Sequence, residues 1–69
     1  MATSQECNDE WERGYTDGYR EFRSTRPTIP SRPGSYPPGE DPLNYFYRTG
    51  LDRGRKKGIQ DSAGIKGGG

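Results

Sequence analysis

The side chains of this 69-residue chain best suited to chemistry are its cations and its phenols. Guanidinium and ammonium groups neutralise phosphates, and tyrosine rings stack on unpaired bases. Histidine is absent, so a hydrolase triad lacks its general base. There is no phosphate loop of the Walker type. Glu10 and Glu12 stand two positions apart, which puts them on different sides of a helix and not on one substrate. Cys7 is the only cysteine, so no internal disulfide can form, and a structural zinc site lacks its ligands. In an acidic segment Cys7 reads as a bystander thiol. No catalytic residue, metal or cofactor is expected, and the chain is read as non-enzymatic.

The cations are unevenly spread, although net charge is only +1. Glu6, Asp9, Glu10 and Glu12 make the start acidic. Arg20, Arg23, Arg26 and Arg32 follow, and Arg48, Arg53, Arg55, Lys56 and Lys57 are opposed by Asp52 alone in the second half. A phosphate-binding surface and ordinary solvated charge at helix C-termini compete on equal terms for these residues.

Two stretches must position them. Trp11–Arg20 reads WERGYTDGYR, and Tyr47–Lys56 reads YRTGLDRGRK. Each is an aromatic, two residues, Gly, an apolar residue, two residues, Gly, then a variable residue and a basic one. Trp11, Gly14, Gly18, Tyr19 and Phe22 fall at helical steps, as do Phe46, Tyr47, Gly50, Leu51 and Gly54. Each glycine costs about 1 kcal/mol of helix propensity relative to Ala, so packing must compensate. The fold class expected is all-α: two short helices, about 9–23 and 42–57, packed as a hairpin through these residues.

Asn8 or Asp9 suits the first N-cap, with Asp9 and Glu12 resembling a capping box. Asp41-Pro42 suits the second start, and Gly58 a C-cap. Arg13–Asp17, Asp17–Arg20, Arg48–Asp52 and Asp52–Lys56 are helix-spaced ion pairs. Between the helices, Ser24–Asp41 holds five prolines and two glycines and must be neither helix nor central strand. It is read as a semi-rigid strap of extended stretches and turns at Pro33-Gly34 and Pro38-Gly39, pinned by Ile29 and Tyr36. The weaker alternative is a docking peptide for a proline-binding domain. Residues 1–8 are expected to be a flexible acidic tail and 59–69 a flexible Gly-rich one, around a single domain at 9–58.

Core packing is favoured over base stacking for Trp11, Tyr15, Tyr19 and Tyr47. Tyr36 and Tyr45 lie off the stripe and are candidates for partner contact. An antiparallel pair would hold the two basic helix ends apart. Hydrophobic residues make up only 25% of the chain, so one hairpin is marginal alone. A homodimer, or folding coupled to a partner, is expected. No apolar run approaches a membrane span, and no membrane partner and a cytoplasmic setting are expected.

Arg13-Gly14-Tyr15-x-x-Gly18 in a first helix, a proline-containing connector, and an aromatic-x-x-Gly second helix resemble the ribosome modulation factor family. The likeness covers about Trp11–Gly18 and Tyr45–Lys57. It implies a two-helix cytoplasmic protein that binds the small ribosomal subunit and its rRNA and modulates translation. It also implies rRNA contacts at Arg13, Tyr15, Arg20, Arg23, Arg48 and Arg53; Arg55, Lys56 and Lys57 join them as a basic surface. The alternative is a small effector, of phage or plasmid type, that binds and blocks a host protein.

Overall fold

A computed structural model describes residues 2–68 of the chain, with side chains over residues 2–63. Helix α1 spans Ser4–Tyr19 and helix α2 spans Pro42–Gly68; they pack along one another, and the described residues include no strand. The all-α, two-helix class is as the stripes predict.

The helix limits differ from those read in the sequence. Helix α1 begins five residues early because Thr3, not Asn8 or Asp9, is its N-cap. Glu6 N–H donates to Thr3 Oγ1 and Thr3 N–H donates back to Glu6 Oε1, 3.1 and 2.9 Å, a complete capping box. The reading of residues 1–8 as a tail is corrected accordingly, with Met1 outside the described residues. Cys7 lies one turn before Trp11 on the apolar face and is buried with it. The far end comes early too, with Arg20 as C-cap, so Arg20 and Arg23 follow the last turn and do not sit in it.

Helix α2 starts as expected, with Asn44 N–H donating to Asp41 Oδ2 at 3.3 Å. It does not stop at Gly58. Gly58 is buried against Tyr19 and Phe22, in the role of Gly50 and Gly54, so the notch pattern continues through it. Residues 59–68 continue α2 and are not a separate tail; Gly69 lies outside the described residues.

The glycines set the packing. A Cβ on Gly14 would lie 3.0 Å from Leu51 N, and one on Gly18 2.9 Å from Arg55 N. In return, a Cβ on Gly50 would lie 2.5 Å from Trp11 O, and one on Gly54 2.8 Å from Tyr15 C. These are backbone atoms, so bare glycine is what lets the two helices touch main chain to main chain. Small residues four apart are the usual means of such close approach. Here they work in polar helices.

The pairings also fix the direction. Gly14 meets Tyr47 and Leu51, Gly18 meets Leu51 and Arg55, and Gly58 meets Tyr19 and Phe22. Both partners advance together, so α1 and α2 run parallel. The two helices pack as the pair expected, and because they run parallel their basic ends are not held apart as an antiparallel pair would hold them. Moving 36 positions along the chain carries Gly14 to Gly50, and carries its neighbours' roles from Tyr47 and Leu51 to Trp11 and Tyr15. The internal repeat therefore folds as a pseudo-twofold pair.

Connector length makes the parallel direction possible. A helix of 16 residues is about 24 Å long at ~1.5 Å per residue. Residues 20–41, at about 3.1 Å each when extended, reach well over twice that. The strap returns along the helices. Trp11 Nε1–H donates to Pro30 O at 2.8 Å, Ile29 packs on the core, and Arg32 donates to Asn8 Oδ1 at 2.5 Å. Arg32 also lies 4.8 Å above the Phe46 ring, and Tyr36 meets the edge of the same ring. Pro38-Gly39 makes the last turn, closed by Glu40 N–H to Pro37 O at 3.3 Å. Gly39 has φ +84°, which an L side chain resists. The core is aromatic: Cys7, Trp11, Tyr15 and Phe46, with Leu43, Tyr45 and Ile29 against it.

Candidate nucleic-acid interface

Parallel packing puts the ends of α1 and the basic run of α2 at one level. Gly18 touches Arg55 N, and Gly58 touches Tyr19 and Phe22, so Arg20 and Arg23 stand beside the turn that carries Arg53, Arg55, Lys56 and Lys57. Acidic side chains gather at the other end: Glu6, Asp9, Glu10 and Glu12 on α1, with Glu40 and Asp41 before α2. The two parallel helix dipoles add, and this charge distribution opposes them, cations toward the C-terminal ends and anions toward the N-terminal ones.

Not every cation at the basic end is free. Arg55 grips Glu21 in a fork, Nε and Nη2 donating at 3.0 Å to its two oxygens, which raises the Arg55 pKa. Lys56 pairs with Asp52 at 3.4 Å and Lys57 with Asp61 at 3.2 Å. Arg20, Arg23 and Arg53 have no carboxylate within 4.0 Å among the described residues. These three can exchange water for phosphate without breaking an internal pair.

Tyr19 and Asp61 brace this end. Tyr19 O–H donates to Asp61 Oδ2 at 2.5 Å. That bond holds the Asp61 carboxyl below the usual carboxylate range, with Lys57 and Arg23 helping, and pushes the Tyr19 phenol up. Tyr47 O–H donates to Asp17 Oδ2 at 2.8 Å on the other flank, and its pKa is likewise raised. Phe22 is 46% and Ile59 51% exposed, so two apolar side chains lie among the cations. Neither was assigned to a surface by the sequence. Phe22 belongs to the apolar stripe, but α1 ends before it, and one side of it packs on Gly58 while nearly half of it stays in solvent.

The other site residues are divided between core and surface. Tyr15 is 4% exposed, so it is a core residue and offers no face to RNA. Trp11 and Tyr19 are buried, while Tyr47 and Leu51 are half-buried at the helix contact. Arg48 is held by Glu40 at 2.9 Å and Arg13 by Glu10 at 3.7 Å, away from the basic end. Of the helix-spaced ion pairs expected, Asp52–Lys56 is present. Asp17 instead serves Tyr47, and Arg48 reaches back to Glu40. Tyr45 is half-buried with its ring edge-on to Phe46, so it supports the core; Tyr36 is 46% exposed. Among the described residues no cluster of His, Cys, Asp or Glu could hold a metal, and no helix is long and apolar enough to cross a membrane.

Compared with models of known protein families, with curated proteins and with solved structures, the chain matches none.

Proposed function

We propose that this is a small non-enzymatic protein that binds phosphate-rich RNA through its basic end, with the small ribosomal subunit and its rRNA as the target and translation as the process modulated. The observation that supports this reading is the parallel pairing, which brings the end of α1, followed by Arg20 and Arg23, to the level of the α2 turns that carry Arg53, Lys56 and Lys57. An antiparallel pair would have separated them. The ribosome as target rests on the resemblance in the glycine-spaced motifs alone. The contact set implied by that resemblance is narrowed: Tyr15 is enclosed, and Arg13 and Arg48 are tied to carboxylates elsewhere.

Salt dependence tests the chemistry. Three phosphate contacts give a slope of roughly −2 to −3 in log affinity against log salt, a loss of about twenty- to fortyfold between about 50 and 200 mM. Arg20→Ala with Arg53→Ala should flatten that slope by about 2. Co-sedimentation with small ribosomal subunits, beside a pull-down from host lysate, tests the target. The second reading, a protein-blocking effector, is favoured by the exposed ring of Tyr36 on the opposite end. It predicts weak dependence on salt and damage from Tyr36→Ala. Absence from ribosomal fractions at low salt, with one host protein recovered stoichiometrically, would replace the first reading with the second.

A further inference from the structure

We infer that the RNA taken by this protein is single-stranded, with Phe22 as the ring on which one of its bases stacks. This rests on the RNA reading above and adds which form of RNA is bound and which side chain selects it. Helix α1 ends at Tyr19 while α2 runs on to Gly68, so the flank of the pair has a step where the shorter helix stops. Phe22 occupies that step. A Cβ on Gly58 would lie 3.1 Å from Phe22 Cβ and 3.4 Å from its Cδ2, so one side of the residue rests on the bare glycine. Its main chain is held twice: Phe22 N–H donates to Tyr19 O at 3.1 Å, and the Ser62 hydroxyl donates to Phe22 O at a long 3.5 Å. The residue is nevertheless 46% exposed. A side chain fixed at its base and open to solvent is preorganised for stacking, because its freedom is lost in folding and not in binding.

The surroundings select the occupant. Arg23 follows Phe22 directly, Lys56 and Lys57 precede the glycine it rests on, and Ile59, 51% exposed, follows that glycine. Cations beside an open ring match a base joined to its phosphate. Duplex RNA offers the phosphates but keeps its bases stacked on one another, so only an unpaired nucleotide can use the ring. Two apolar side chains are too few for the centre of a stable protein interface, which buries about 800 Å² per partner. The tyrosines do not offer an equivalent surface. Tyr15 and Tyr19 are buried, and Tyr47 is half-buried with its hydroxyl on Asp17. Tyr36 packs on Phe46, about three turns of α2 before Gly58.

The test is fluorescence anisotropy with three probes of equal phosphate count: a short single-stranded oligoribonucleotide, a blunt RNA duplex, and an abasic strand. The parent should bind the single strand roughly five- to a hundredfold tighter than the abasic strand, the range that stacking of one base supplies. Phe22→Leu keeps an apolar side chain on Gly58 and removes the aromatic face. It should weaken single-strand binding by that same factor and leave duplex binding unchanged. Its salt slope should match the parent's, because stacking releases no counterion. Phe22→Tyr should retain the parent's preference, and circular dichroism checks each fold. In NMR spectra the Phe22 ring protons should move upfield as the single strand is added and stay in place with the abasic one. No loss in Phe22→Leu, an equal loss on single strand and duplex, or ring signals that stay in place when the single strand binds would overturn the inference and leave the RNA reading standing. A parent that binds none of the three probes at low salt would remove the RNA reading, and this inference with it.

Discussion

At the scale of the residue, the glycines decide most. Gly→Ala inside a helix ordinarily gains about 1 kcal/mol. At Gly54 the new methyl would meet Tyr15 main-chain atoms at 2.8 and 3.0 Å, which cannot swing aside. The sign should reverse. Gly54→Ala is expected to destabilise by about 1–3 kcal/mol, as overpacking does, read as a fall in Tm. Gly34 has nothing within 4 Å and serves as the control, with Gly34→Ala neutral or slightly stabilising. Equal effects at the two sites would contradict close packing. A second prediction concerns pH. Asp61 titrates lower in the fold than when unfolded, chiefly because Tyr19 O–H donates to it. Its contribution is present above the ordinary carboxylate pKa of 3.8 and is lost as pH falls through the depressed folded value. Tyr19 is raised above 10.0, so its share is present below that pH and lost on alkaline titration. Tyr19→Phe should move the Asp61 carboxyl pKa up toward its ordinary value, followed by the side-chain carbon shift in an NMR titration. An Asp61 midpoint that does not move would remove the bond from the account.

Elements were legible in proportion to how local their signals are. The stripes at Trp11–Phe22 and Phe46–Gly54 located both helices, and Asp41-Pro42 placed the start of α2 to the residue. The start of α1 was missed although Thr3 and Glu6 spell a capping box. Asp9 and Glu12 repeat the same spacing six residues further on, well inside the helix, and compete with that signal. Gly58 was read as a stop because a glycine after basic residues commonly is one; only the packing of Tyr19 and Phe22 on it shows otherwise. The strap was recognised from its prolines, but which carbonyl it offers is a tertiary matter. Trp11 Nε1 finds Pro30 O nineteen residues away. Trp11→Phe should free the strap at that point, costing about 0.5–1.5 kcal/mol. Backbone chemical shifts of Ile29 and Ser31, on either side of the accepting Pro30 carbonyl, should move toward random-coil values while those of α2 stay in place. Unchanged shifts there would mean that Ile29 and Arg32 hold the strap without the indole.

For the whole molecule, the decisive property is direction, and the sequence held an unused clue to it. A connector of a few residues joins antiparallel helices, whereas eighteen can return along the full length of α1 and start α2 beside its beginning. Direction determines whether Arg20, Arg23 and Arg53 form one surface, so the candidate site was legible as residues and not as a place. Nuclear Overhauser contacts on the isolated protein test this most directly. The parallel register predicts cross-peaks from Gly50 to Trp11, Gly54 to Tyr15, and Gly58 to Tyr19 and Phe22. Cross-peaks from Gly58 to Cys7 or Trp11, with Gly50 near Tyr19, would show an antiparallel pair and dissolve the basic end on which the functional reading depends.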